Sequence, residues 1–190
     1  MTQNEKEWPK RKHPRLKHYD YSRNGIYFVT ISAKDQFPIF SKISAATHDP
    51  VGRGLAPAEV KILLSPIGKI AEEQLLSLEK RYPYITVDKY VIMPTHIHVI
   101  LIFHDGITAR ARPRPTVCAD SISNRDDLSD VMCVYKSLTT RQCKQQGLCA
   151  TKQLFQASFY EEILKTQEAY IETRNYIAKN PLRWFYKNQT

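Results

Sequence analysis

His96 and His98 are separated by one residue within the run YVIMPTHIHVILIF, residues 90–103. In an extended strand, residues two apart project to the same face. Both imidazoles therefore point together, while Ile97, Val99, Leu101 and Phe103 point the other way. Ile100 and Ile102 continue the histidine face, so the segment is apolar on both sides, the pattern of a central strand covered above and below. Two neutral imidazoles at this spacing form part of a site for a divalent metal. Hydrogen bonding of buried histidines to backbone or to each other is the alternative that the spacing leaves open.

A third donor is offered near the C-terminal end, in Tyr176-Ile-Ala-Lys-Asn-Pro181. Residues i and i+4 lie one above the other on a helix, so the Tyr176 phenol and the Asn180 amide share a stripe. The spacing puts the main apolar stripe elsewhere, at Tyr170, Ile171, Ile177 and Ala178. An amide oxygen would complete a neutral His-His-Asn set and leave most of a metal's charge free to polarise a phosphodiester. A phenol ionises at about pH 10 when free, so as a nucleophile it needs a metal or base to help it. Taken singly, Tyr176 also reads as a half-buried structural tyrosine, and Asn180 as a helix-terminal cap.

The elements that must position these groups follow from pattern. Gly25–Ser32 is β-branched and aromatic and predicts a strand. Residues 42–60, with Pro50, Gly52, Gly54 and Pro57, predict a loop with short strand pieces. Ser65-Pro66 supplies a cap and a first-turn proline for a helix reaching about Arg81. Tyr84–Met93 is the next strand and turns at Pro94-Thr95 into the histidine strand, forming a hairpin. Residues 104–127 predict a long loop rich in Gly, Pro, Arg and Ser. Ser129 is expected to cap a helix that stops at Gly147. Gln156–Leu164 predicts a last strand, and Thr166 or Gln167 opens a helix that Pro181 is expected to end at Asn180. The β-α-β-β-α-β order predicts an α+β, ferredoxin-like antiparallel sheet with helices on one face and the histidines on a central strand.

The chain has 190 residues, the length of one domain, with 28 Lys and Arg against 19 Asp and Glu for a net charge of +9. That balance favours a polyanionic partner, nucleic acid foremost. Lys10, Arg11, Lys12, Arg15 and Lys17 lie in a basic arm within residues 1–22, and Arg110, Arg112 and Arg114 form a second cluster. Both are candidates for contact with a DNA backbone. Tyr19 and Tyr21 read either as platforms for unpaired bases or as the edge of the core. The catalytic domain is expected over residues 23–190. Cys118, Cys133, Cys143 and Cys149 contain no Cys-x-x-Cys pair and read as reduced thiols. The polar N-terminus lacks a secretory signal pattern, and no run reaches the ~18 apolar residues of a membrane span. A cytoplasmic protein with no membrane partner is the expectation.

Several stretches resemble the REP-associated tyrosine transposases, a branch of the single-tyrosine HUH transposases of the insertion-sequence-200 type. They are residues 15–31 (RLKHYDYSRNGIYFVTI), 90–99 (YVIMPTHIHV), 135–141 (YKSLTTR), 158–164 (SFYEEIL) and 176–184 (YIAKNPLRW). They occur in order and span nearly the whole chain. Thr95 stands where many such proteins carry Asn or Glu. The resemblance implies a ferredoxin-like fold, His96 and His98 as ligands of Mg²⁺ or Mn²⁺, Asn180 as third ligand and Tyr176 as nucleophile. It implies cleavage and rejoining of single-stranded DNA through a 5′-phosphotyrosine, at palindromes that fold as hairpins, on the nucleoid of a bacterial cell. Some such proteins act as homodimers with the tyrosine helix supplied in trans, others as monomers. Two other readings keep the same residues: a hairpin-binding protein without catalysis, and a replication-initiator-like nickase. Histidine-triad and 2H phosphoesterases fit less well, because position 100 is Ile and paired His-x-Ser/Thr motifs are lacking.

Overall fold

The computed structural model describes Tyr21 and residues 23–45, 60–105, 126–149 and 153–188. Its elements in chain order are β1 (Gly25–Ser32), a 3-10 turn (Lys34–Gln36), β2 (Ser41–Ala45), β3 (Val60–Leu64), α1 (Pro66–Leu76), α2 (Leu78–Arg81), β4 (Ile85–Ile92), β5 (His96–Phe103), α3 (Leu128–Gln145), β6 (Tyr160–Ile163) and α4 (Gln167–Lys187). Four strands form one antiparallel sheet in the order β4-β5-β1-β6, and β2 pairs with β3 in a separate two-stranded ribbon. The sheet order and the two intervening helices are those of the expected ferredoxin-like core. The histidine strand β5 lies inside the sheet, between β4 and β1.

The period-2 alternation of β1 and β5 sorts their side chains onto two faces. Tyr27, Val29, Ile31, Ile97, Val99, Leu101 and Phe103 join Ile70, Ala71 and Leu75 of α1 and Leu128, Val131, Met132 and Tyr135 of α3 in the larger core. Phe28 and Ile100 point the other way and join Val91, Met93, Leu164 and Ile177 in a smaller one. Tyr170 and Trp184 of α4 pack against this second core, as do Ile43 of β2 and Ile62 of β3. The core helices thus share one sheet face, and α4 with the β2–β3 ribbon covers part of the other. That double cover explains why β5 is apolar on both sides.

Helix starts are set by local chemistry. The Ser65 hydroxyl accepts from Gly68 N at the start of α1, with Pro66 in the first turn. Helix α3 begins two residues earlier than its expected Ser129 cap. Asp127 accepts from Ser129 N and Asp130 N, and Asp130 reaches back to Asp127 N, which closes a capping box. The chain turns out of α3 through Gly147 at φ +68, a conformation natural to glycine. Thr166 caps α4.

Three further boundaries depart from pattern. The predicted helix over 65–81 breaks at Ser77 into α1 and α2. The short strand pieces expected within 42–60 are the ends of β2 and β3, where Ile43 and Ile62 find an apolar surface under α4. The last strand covers only Tyr160–Ile163, since Lys136 Nζ donates to the carbonyls of Gln156, Ala157 and Ser158 and draws that segment towards α3. Helix α4 does not stop at Asn180; it runs through Pro181 to Lys187. An interior proline costs about 3 kcal/mol through its missing N–H and its clash with the preceding turn. Burial of Pro181 itself and docking of Trp184 beyond it offset that cost. The basic arm, Arg110, Arg112, Arg114, Tyr19 and Cys118 lie outside the described residues; Cys133, Cys143 and Cys149 are free thiols.

Among the described glycines Gly68 makes the tightest backbone approach. A Cβ placed there would meet the Phe40 carbonyl oxygen at 1.9 Å. Gly68→Ala is expected to lower stability by about 2 kcal/mol in urea denaturation, overpacking outweighing alanine's better helix propensity.

Candidate active site

Strand β5 presents His96 and His98 towards the face that α4 partly covers, with the two rings 4.5 Å apart between centroids. The register sets Thr30 of β1 opposite His98 and Ser32 opposite His96. Residues directly opposite in an antiparallel pair share a face, and the Thr30 hydroxyl bonds Nδ1 of His98 at 2.8 Å. The Thr95 hydroxyl bonds Nδ1 of His96 at 3.0 Å. Each ring is thereby fixed through Nδ1, which leaves Nε2 as the nitrogen directed to a ligand. Burial holds both imidazoles neutral. It lowers the pKa of His96, and together with the neighbouring His96 it pushes His98 down to about 3.

Tyr176 approaches from α4. Its hydroxyl lies 3.4 Å from Nε2 of His98. Its ring stands edge-on to both His98 and Phe28, and the residue remains 38% exposed. The Arg183 guanidinium lies 5.9 Å from the Tyr176 ring centroid, two turns along the same stripe. Trp184 packs 5.9 Å from His96. The phenol, both histidines and a cation are therefore gathered where α4 crosses β5.

Asn180 is buried, and no hydrogen bond engages its amide among the described residues. It sits one turn beyond Tyr176, but the buried stripe differs from the expected one. Ile171 and Ala178 face outward, whereas Tyr170, Ile177, Asn180, Pro181 and Trp184 face the sheet. Lys179 is exposed. Among the described residues no group of three His, Cys, Asp or Glu side chains could hold a metal. A metal at the histidines would need a donor of another type, such as an amide. Tyr21 is buried and packs 6.0 Å from Tyr27, which makes it core rather than a base platform.

The angle of α4 is set by a contact that sequence patterns did not indicate. At a register irregularity in β4 between Val87 and Lys89, the Asp88 carboxylate accepts from the Arg174 guanidinium and, at 3.0 Å, from the Tyr170 hydroxyl. Arg174 also donates to Tyr170 at 2.9 Å. Arg174 is half-exposed, so this network orients more than it stabilises. Thr95, noted in the sequence as a departure from the family pattern, is adjacent to the ring it contacts. Thr30 and Asp88 were not singled out as site residues, because their roles depend on strand register and on a bulge, neither of which spacing reveals.

No family model matches the chain. A protein of uncharacterized function from Haemophilus influenzae is 22% identical over 173 residues, spanning 90% of this chain and 87% of its own length. The solved structure of a REP-associated tyrosine transposase bound to a REP hairpin matches with a TM-score of 0.53 at 16% identity, over 89% of this chain and 73% of that one. A chain from Deinococcus radiodurans, provisionally named a transposase, aligns at a TM-score of 0.44 and 11% identity over 87% of this chain and 95% of its own. At 16% identity the first of these structures speaks for architecture alone. The chain is built on the fold of a REP-associated tyrosine transposase.

Proposed function

We propose that this protein is a single-tyrosine HUH transposase-like enzyme that cuts and rejoins single-stranded DNA beside hairpin-forming palindromes. The observation that carries the reading is the 3.4 Å approach of the Tyr176 hydroxyl to Nε2 of His98 across two separate elements. A structural tyrosine has no need of a neutral histidine pair, and a core histidine pair has no need of a half-exposed phenol. The neighbour's hairpin-bound state and the net charge of +9 both favour DNA as substrate.

His96 and His98 suit a divalent cation: both are neutral, and both have Nδ1 engaged by a threonine hydroxyl. Asn180 would add an amide oxygen. Mg²⁺ or Mn²⁺ held by these three would polarise the scissile phosphate and stabilise its developing charge. Imidazole ligation favours Mn²⁺ in raw affinity. The Tyr176 oxygen attacks phosphorus and loses its proton, while the bond to the 3′ oxygen breaks and that oxygen is protonated. The products are a 5′-phosphotyrosine and a free 3′-hydroxyl. The linkage exchanges one phosphodiester for another, so a 3′-hydroxyl can reverse it without ATP. Phe28, packed edge-on, and Arg183 restrain the Tyr176 ring for in-line attack. Tyr176 meets the histidines of its own chain, which supports action in cis; a homodimer that exchanges α4 would need that contact to form between chains.

Incubation with hairpin DNA from the gene's flanks and Mn²⁺ is expected to give a covalent protein–DNA band on a denaturing gel. The band should vanish on chelation and in Tyr176→Phe. Binding of the hairpin without an adduct under any metal would instead support a non-catalytic hairpin-binding protein.

Thr30→Val removes the hydroxyl from His98 Nδ1 at nearly constant volume. Half-saturating Mn²⁺ for adduct formation is expected to rise roughly ten- to a hundredfold, with the rate recovering at high metal. An unchanged metal dependence would remove Thr30 from the site.

A further inference from the structure

Helix α4 lies over β4 and β5 and reaches Phe28 of β1, while Tyr160 on the edge strand β6 stays exposed. The register carries a row from the histidines to that edge. His98 pairs with Thr30, and Thr30 pairs with Tyr160 on the edge strand β6. Directly opposed residues share a face, so Tyr160 stands on the histidine side, two strand spacings or about 10 Å from His98. Its ring is 54% exposed. An aromatic side chain this open, in line with the reactive groups and at a sheet edge, is placed to receive a flat ligand.

Just across the edge lies a groove of about 720 Å³ between α3 and residues 153–159. Ser129, Ser137, Thr140, Arg141 and Lys144 offer hydroxyls and cations along it, and among the described residues its lining contains no carboxylate. Arg141 and Lys144 are exposed. Lys136 is not part of this supply, because three backbone carbonyls hold its ammonium and shape the groove wall. Phe159 lines the groove, and the next residue is Tyr160 on the opposite face. The groove also begins at the histidine end of the sheet: Gln156 N donates to Ser32 O, and Ser32 pairs with His96.

We propose that these features form one track for single-stranded DNA. It runs from the histidines over Thr30, stacks a base on Tyr160, and wraps the β6 edge so that phosphates meet Arg141 and Lys144. The inference rests on the proposed function and adds the path of the strand that flanks the scissile phosphate. A base platform followed by cations and hydroxyls suits an unpaired strand, whose bases can splay, and not a duplex, whose bases are stacked inside.

The test is fluorescence anisotropy in a Tyr176→Phe background, with a hairpin carrying a single-stranded flank and the same hairpin without it. Tyr160→Ala is expected to weaken binding of the flanked DNA roughly ten- to a hundredfold, the worth of one base stack, with an unchanged salt slope. Tyr160→Phe should bind as well as the parent, because it keeps the ring. The pair Arg141→Gln and Lys144→Gln should lower the slope of log K against log salt by about 1.4, two phosphates at ~0.7 each. None of these variants should alter binding of the flankless hairpin. Parental affinity and salt slope in all of them, while Tyr176-intact protein still forms its adduct, would overturn the track and leave the proposed function standing. Failure of the parent to bind flanked DNA at all would overturn both.

Discussion

Burial of a histidine pair on the middle strand of an apolar sheet face is the constraint from which the rest of the site follows. Charged imidazole is excluded there, and burial with the adjacent His96 takes His98 down to about 3. Neutral imidazole still has one donor and one acceptor to satisfy, and an unsatisfied buried polar atom costs about 1–3 kcal/mol. Thr30 and Thr95 meet that need at Nδ1. The remaining nitrogen can be met only by something arriving from outside the sheet, and Tyr176 on α4 occupies that approach. Structural necessity and chemical capability therefore coincide at Nε2.

On the proposed function helix α4 must then be held at one angle, since a displacement of about 1 Å at a reacting group is costly in rate. Two kinds of contact hold it. Ile177 and Trp184 bury apolar surface against the cluster of Phe28, Val91 and Ile100, and a fully buried side chain of this size contributes about 1.5–3 kcal/mol. The Asp88 carboxylate receives both Arg174 and Tyr170 and fixes the helix along β4. The apolar contact supplies adhesion, and the polar one supplies direction. This division also accounts for an interior proline: the helix gains more from carrying Trp184 to His96 than it loses at Pro181.

Much of this was legible in the sequence. The alternation from Ile97 to Phe103 placed the histidines together on a central strand, and the i, i+4 relation put Tyr176 and Asn180 on one stripe. The Pro94-Thr95 turn gave the hairpin, and with it half of the sheet order. What stayed hidden depends on distance in space. Register between β1 and β5 decides that Thr30 meets His98, and no local pattern encodes register once both strands are apolar on both faces. Pro181 reads locally as a stop, and only packing beyond it shows why the helix continues. Lys136 gathers three carbonyls and shortens the strand that follows, a distant contact that no local pattern signals. Local preference gave way at these points because each residue had a better partner elsewhere.

Whether Tyr176 supplies the oxygen that attacks phosphorus can be read directly by mass spectrometry. Trypsin should cut after Arg174 and Lys179 and release residues 175–179, a peptide with Tyr176 as its one tyrosine. After reaction with flanked hairpin DNA, Mn²⁺ and nuclease trimming, that peptide is expected to carry a nucleotide joined through its 5′ phosphate. Attachment to any other tyrosine, or an unmodified peptide from protein that had cut its DNA, would contradict the account.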